Sequence, residues 1–273
     1  MSTVCKIAAL WVFVGGSWCL GLRLVSLSPQ TTELLFQLGK GADVVAATTF
    51  SDYPEEAKRI PRMGSVFAPG IESIVRFQPD WVITDQSFQQ PSTDKAFRVL
   101  RVPYFTINIR SLSDLERQSK MLLKQLYGMH RSPLIERYSR CLQQLDSTTL
   151  PFRFLILISV APTIAFGPNT FLSDLIARQG GRNAVPNLSY DFPQLSDEWM
   201  MAREDIDMVF YLENFPGESK HFAPVFKRWW KDGVLIVPLS AEHFSRSTFT
   251  PLHHLDEIKI PGKRNIPGSC RAL

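Results

Sequence analysis

The sequence predicts an α/β fold of two lobes joined by a single long connector helix, with a ligand cleft between the lobes. Three observations carry that expectation. Short apolar runs alternate with helix-like segments over residues 22–110, the same alternation resumes over 148–273, and a polar-sided helical stretch, 111–147, separates the two. With 273 residues, 45% of them hydrophobic, the chain has material for a sizeable core.

In the first lobe "LRLVSLSP" from Leu22 is a short buried strand that ends at Ser28-Pro29. "TTELLFQLGKG" then reads as a helix with Thr31 or Thr32 near its cap, an apolar face and Gly39 as its stop. "DVVAATTF" is the next strand, "GIESIVRFQ" a helix, "PDWVITD" a strand and "VPYFTIN" the last. Strands alternating with helices of about ten residues form parallel, Rossmann-like βαβ units. In the connector, Leu112, Leu115, Leu122 and Leu126 fall on about one helical face, interrupted at Gly128 and Pro133, and "PLIERYSRCLQQLDS" continues helical.

The second lobe follows the same grammar. "RFLILISV" is a strand and "NTFLSDLIARQGG" a helix ending at Gly180-Gly181. "SDEWMMARE" is a short helix, "IDMVFYL" a strand, "FAPVFKRWWKDG" a helix and "GVLIVPL" the final strand. One pattern occurs in both halves: a helix with Glu near its start, then a strand led by an acid. It reads "GIESIVRFQPDWVIT" in the first and "LSDEWMMAREDIDMVFY" in the second, as expected of two similarly built lobes.

Residues 1–21 read as a signal peptide: Lys6, an apolar run from Ile7 to about Gly16, and Cys19 and Gly21 at the −3 and −1 positions of a cleavage site. That run is shorter than the ~20 residues a membrane span needs. Cleavage after Gly21 leaves 29 cations against 26 anions, since Lys6 alone of the 30 is removed. It also leaves two cysteines, Cys141 and Cys270, whose pairing the sequence leaves open. The formal charge of +4 comes with no basic run interleaved with aromatics, so no nucleic-acid partner is expected.

Catalytic signatures are missing. No glycine-rich phosphate loop, nucleophile elbow, C-x-x-C or H-E-x-x-H occurs. Among the five histidines only His253-His254 is a local concentration, and helix neighbours point in different directions, so solvated side chains are expected and no metal. An exported, two-lobed α/β protein without catalytic motifs is most simply a binding protein, not an enzyme, and needs no cofactor.

Five blocks then carry a resemblance: "RLVSLSPQTTELLFQLG", "SDYPEEAKRIPRMGS", "GIESIVRFQPDWVIT", "GPNTFLSDLIARQGGRNAV" and "PQLSDEWMMAREDIDMVFY". In this order they resemble the substrate-binding proteins of ABC importers for cobalamin, siderophores and haem. Coverage runs from about Arg23 to about Thr250. Within the family, "SDYP" with "PQLS" looks most like the periplasmic cobalamin-binding members. The resemblance implies a corrinoid as small-molecule ligand, permease subunits as partners, a monomer before docking, and a periplasmic location.

It also implies site residues. The loop Thr48–Pro54 would form one lip of the cleft, with Phe50 against the corrin and Tyr53 beside it. Phe192 would face it from the second lobe, and Glu242 and Arg246 in "SAEHFSRS" would complete the wall. A corrin is a broad apolar ring fringed by amides, which suits aromatic walls with a few hydrogen-bonding groups. Where cobalamin proteins often carry Trp, this chain has Val66, with Phe67 next to it as the substitute. Glu72 and Glu198 match the family's paired docking glutamates, one per lobe. The C-terminus departs from the family, breaking at Pro261 where a longer helix is usual. An iron–siderophore or haem ligand remains the alternative, as do an enzyme or metal-insertion protein on the same scaffold and a sensory module that has lost its ligand.

Overall fold

A computed structural model of the chain describes residues 21–65, 70–88, 91–145, 151–230, 233–261 and 270. The expected signal peptide, apart from Gly21, lies outside the described residues, as do Val66 and Phe67.

The first lobe is a four-stranded parallel sheet in the order β2-β1-β3-β4: β1 Leu24–Ser26, β2 Val44–Ala47, β3 Trp81–Asp85 and β4 Tyr104–Ile107. Helix α1, Pro29–Gln37, starts earlier than the sequence expectation, because Ser28 is the cap. Its hydroxyl accepts from the Thr31 N–H while Thr31 returns a contact to the cap backbone, and Pro29 supplies a preset φ where no donor is needed. Gly39, at φ 72°, ends the turn as expected. Helices α2, Ile71–Arg76, and α3, Pro91–Leu100, complete the lobe.

The connector is helical but divided. Helix α4, Leu112–Tyr127, ends at Gly128 in the left-handed region, and α5, Pro133–Leu145, begins afresh. Helix α5 turns back along α4: the Tyr138 hydroxyl donates to the Leu112 carbonyl at 2.7 Å and Ser139 to Glu116 at 2.6 Å. The glycine reverses the chain at no Cβ cost and the proline takes the first turn of the new helix, so two rods form where one was expected. Cys141 on α5 is disulfide-bonded to Cys270, which ties the tail to the connector.

The second lobe is a five-stranded sheet: β5 Phe152–Val160, β6 Thr163–Ala165, β7 Gly181–Asn183, β8 Met208–Glu213 and β9 Leu235–Ser240. The path β6-β5-β8-β9 is parallel except for antiparallel β6, and β7 pairs with β5. Its helices are α6 Phe171–Ala177, α7 Asp197–Met201, α8 Glu218–His221, α9 Ala223–Trp229, α10 Ala241–Phe244 and α11 Thr250–His253. Gly181, expected as part of a helix stop, is the first residue of β7; Gly180, at φ 96°, makes the stop.

Strand alternation divides the core cleanly. Leu24, Ile83, Ile156 and Phe210 point to the side where α4 and α5 pack, forming one cluster that runs through both lobes. Their sequence neighbours Val25, Val82, Leu155 and Val209 face the other way, into a separate cluster for each lobe. The two sheets therefore share the connector as a common floor, and their loops are free to face one another.

Candidate ligand cleft

The lobes are fastened together by a buried polar seam. Glu33 on α1 is fully buried. One carboxylate oxygen accepts from the Thr248 and Thr250 hydroxyls, at 2.6 and 2.5 Å, and from the Gln37 amide at 3.1 Å. The other pairs with the Arg246 guanidinium. Backbone N–H groups of Ser247 and Phe249 add bonds to Gln30 and Gln37. A carboxylate this deep persists only when paired and fully hydrogen-bonded, and here both oxygens are satisfied.

In front of the seam lies an open cavity of about 470 Å³ between the lobes, lined by Asp52, Tyr53, Glu55 and Lys58 on one side and by Asn214, Glu242, Ser245 and Arg246 on the other. These residues follow β2, β8 and β9, at the carboxyl ends of parallel strands, the usual place for a ligand in such sheets. The loop after β2 is held in shape by Arg62, whose guanidinium donates to the carbonyls of Thr48, Ser51 and Ala57 at 3.0, 2.7 and 3.1 Å. Arg246 also lies 5.3 Å from the Tyr53 ring centre, so one cation touches the seam and the lip together.

Of the residues expected from sequence, Tyr53, Glu242 and Arg246 thus come together in the cavity. Arg246 pairs with the Glu33 carboxylate of the first lobe, and its bond to Glu242 goes to that residue's backbone carbonyl, at 3.2 Å. Phe50 and Phe192 stand on loops of opposite lobes, 62% and 52% exposed, beyond the cavity's immediate lining. Exposure of that degree in a large aromatic leaves an apolar face for a partner. Phe192 packs edge-on against Phe166, and its neighbour Asp191 reaches Arg110 of the first lobe at 2.9 Å. Sequence reasoning missed Glu33, Arg62, Asp52, Lys58 and Asn214. It also missed Tyr190 and Phe215, which are 56% and 53% exposed.

Glu72 and Glu198 each occupy the second position of a short helix, α2 and α7, and both are exposed. Among the described residues neither meets a cation. The Glu198 N–H and the Ser196 hydroxyl hold the Glu198 carboxyl below its usual value, so it stays ionised.

Residues 24–126 match the sequence profile of a family described as periplasmic binding protein. A vitamin B12-binding protein of Photorhabdus laumondii is 28% identical over 194 residues, covering 67% of this chain and 68% of the relative. Among solved structures, the periplasmic vitamin B12 binding protein BtuF of Vibrio cholerae superposes with a TM-score of 0.73 at 21% identity, covering 87% of this chain and 95% of its own. The periplasmic haem binding protein HutB of the same organism gives 0.69 at 19% identity, covering 87% and 97%. At these identities the structural likeness speaks for the two-lobed fold. No helix among the described residues is long and apolar enough to cross a membrane.

Proposed function

Taking the chain as a member of the periplasmic binding proteins, on its profile match, its relatives and its fold, we propose that it captures a corrinoid in the interlobe cleft and delivers it to an ABC importer. The observation that carries the reading is the cleft itself. Its floor is polar and hydrogen-bonding, while exposed Phe50 and Phe192 stand on opposite lips, an arrangement suited to a flat apolar ring fringed with amides. The chain acts after export, in the periplasm, as a monomer until it docks. No bond is broken; binding and release are the function.

Glu72 and Glu198 are the docking contacts in this reading. Two exposed carboxylates, one on each lobe, offer charge-assisted bonds to arginines on two permease subunits, and a rigid body makes the second contact nearly intramolecular. One observation favours haem as a second reading: Tyr53 belongs to the cavity wall, and a phenolic oxygen is a competent ligand for haem iron.

The test is a paired measurement on the chain lacking residues 1–21, in parent form and as the E72A/E198A double variant. Calorimetric titration with cyanocobalamin should give one site per chain, equally in both. Capture by the assembled importer should fall at least about tenfold in the double variant, ~1.4 kcal/mol. Haem bound at one site with no response to cyanocobalamin rejects the corrinoid. Undiminished importer capture returns both glutamates to ordinary acids of a helix's first turn.

A further inference from the structure

We propose that His243, His254 and Glu257 form a binding site for a divalent transition-metal ion of borderline softness, such as Zn²⁺, behind the second-lobe wall of the cleft. The three come from separate turns: His243 from α10, His254 from the end of α11, and Glu257 from the 3₁₀ turn 255–257. Both imidazoles direct Nδ1 at the same carboxylate oxygen, Glu257 Oε1, at 2.5 and 3.3 Å, and the three donor atoms lie within 4.8 Å of one another. Two imidazoles and a carboxylate are a donor set that zinc accepts, with a position left for water.

The surroundings favour a cation. The other Glu257 oxygen accepts from the Ser240 N–H at 3.2 Å, an outer contact that orients the carboxylate toward the rings. Glu257, Asp256 and Glu242 all act on His254 with negative charge, and His243 is the one opposing group. All three side chains are about a third exposed or less, so the site is reachable yet partly shielded. The rings now stack 3.4 Å apart and nearly parallel. Seating an ion at about 2.0–2.2 Å from each donor opens that stack by rotation about the outer imidazole torsions, which are broad wells. His253 is exposed and is not one of the three.

The experiment uses tag-free protein stripped with a chelator and then titrated with zinc chloride against a chromophoric competitor. One ion per chain is expected in the parent and in H253A, with affinity at least about tenfold weaker in H254A and in E257Q. Circular dichroism checks the fold of each variant. Cobalt(II) added to the parent should give the intense visible bands of a four- or five-coordinate site. A parent that takes up no zinc, a parent cobalt spectrum no stronger than the hydrated ion's, or zinc affinity unchanged in both H254A and E257Q overturns the assignment.

Discussion

In the first lobe the Arg23 N–H donates to Asp80 Oδ2 at 2.7 Å and the Arg23 carbonyl accepts the Asp80 N–H at 2.8 Å; in the second, Arg153 and Asp207 repeat both bonds at 2.6 and 2.9 Å. Each acid leads a central strand and clamps the start of its neighbour. The lobes correspond again at the first helix, where Glu33 on α1 and Asp174 on α6 each fasten a segment from elsewhere in the chain. Glu33 holds residues 246–250, whereas Asp174 accepts the Leu112 N–H that opens the connector. The correspondence fails in burial. Glu33 is sealed from water, and the Asp174 side chain is 27% exposed and shared with Arg178. At the strand ends the contrast deepens. Burial raises the carboxyl of Asp85, at the end of β3. At Glu213, which closes β8, burial also pushes upward, but donors from Ser219 and Gly217 outweigh it and hold the carboxyl low. What the lobes share is their sheet framework and the two exposed glutamates. What they do not share is the chemistry at the seam and the strand ends.

The sharpest way to break this comparison is at the first helices. Removing Glu33 with E33A strands Arg246 and three further donors in a buried seam, a loss expected at about 3–5 kcal/mol. D174A should cost about 1–3 kcal/mol, since water can reach the freed N–H. Urea denaturation midpoints at equal slope measure both; equal losses would mean that the seam is no drier than its counterpart.

A smaller effect of opposite sign is expected at the strand ends. The folded state holds the Asp85 proton more tightly than the unfolded chain does, so Asp85 costs stability as pH rises above the ordinary carboxyl value. Glu213 does the reverse: its contribution is present above that value and lost as pH falls through its depressed one. D85N should therefore gain stability relative to parent between pH 4 and pH 7, and E213Q should lose it. Parallel pH profiles for the two variants would remove the distinction. The smallest effect should be the best matched: D80A and D207A are each expected to cost ~0.5–1 kcal/mol, and one loss at least about twice the other would show that the clamps are not equivalent.

Much of this was legible in sequence. The strands betray themselves by period-two burial, as in Leu24 and Val25, and the strand-leading acids Asp80 and Asp207 stand in the repeat that signals two lobes. Gly128 and Pro133 were visible as an interruption, though not as a reversal. Strands β6 and β7, three residues each, are too short to show a period. Partners set only by docking were invisible: Arg246 meets Glu33 across 213 residues and His243 finds His254 across a turn. The same holds for Cys141 and Cys270, 129 residues apart. Local propensity carries no information about such pairs; they exist because distant segments of the chain fold back on one another.

The seam between α1 and residues 246–250 also makes the lobes unequal as physical objects. Gln37 and Thr250 are bonded at 2.8 Å, so a segment synthesised 213 residues later completes the inside of α1. A fragment ending at residue 110 would keep only the Gln37 amide on the Glu33 carboxylate, and would lack Arg246 and the two threonine hydroxyls that complete its partners. The first lobe is therefore a half-finished surface until the second arrives. The lobes are pinned at two places, by the connector on one side and by this seam on the other, and both would have to give before one lobe could swing widely from the other.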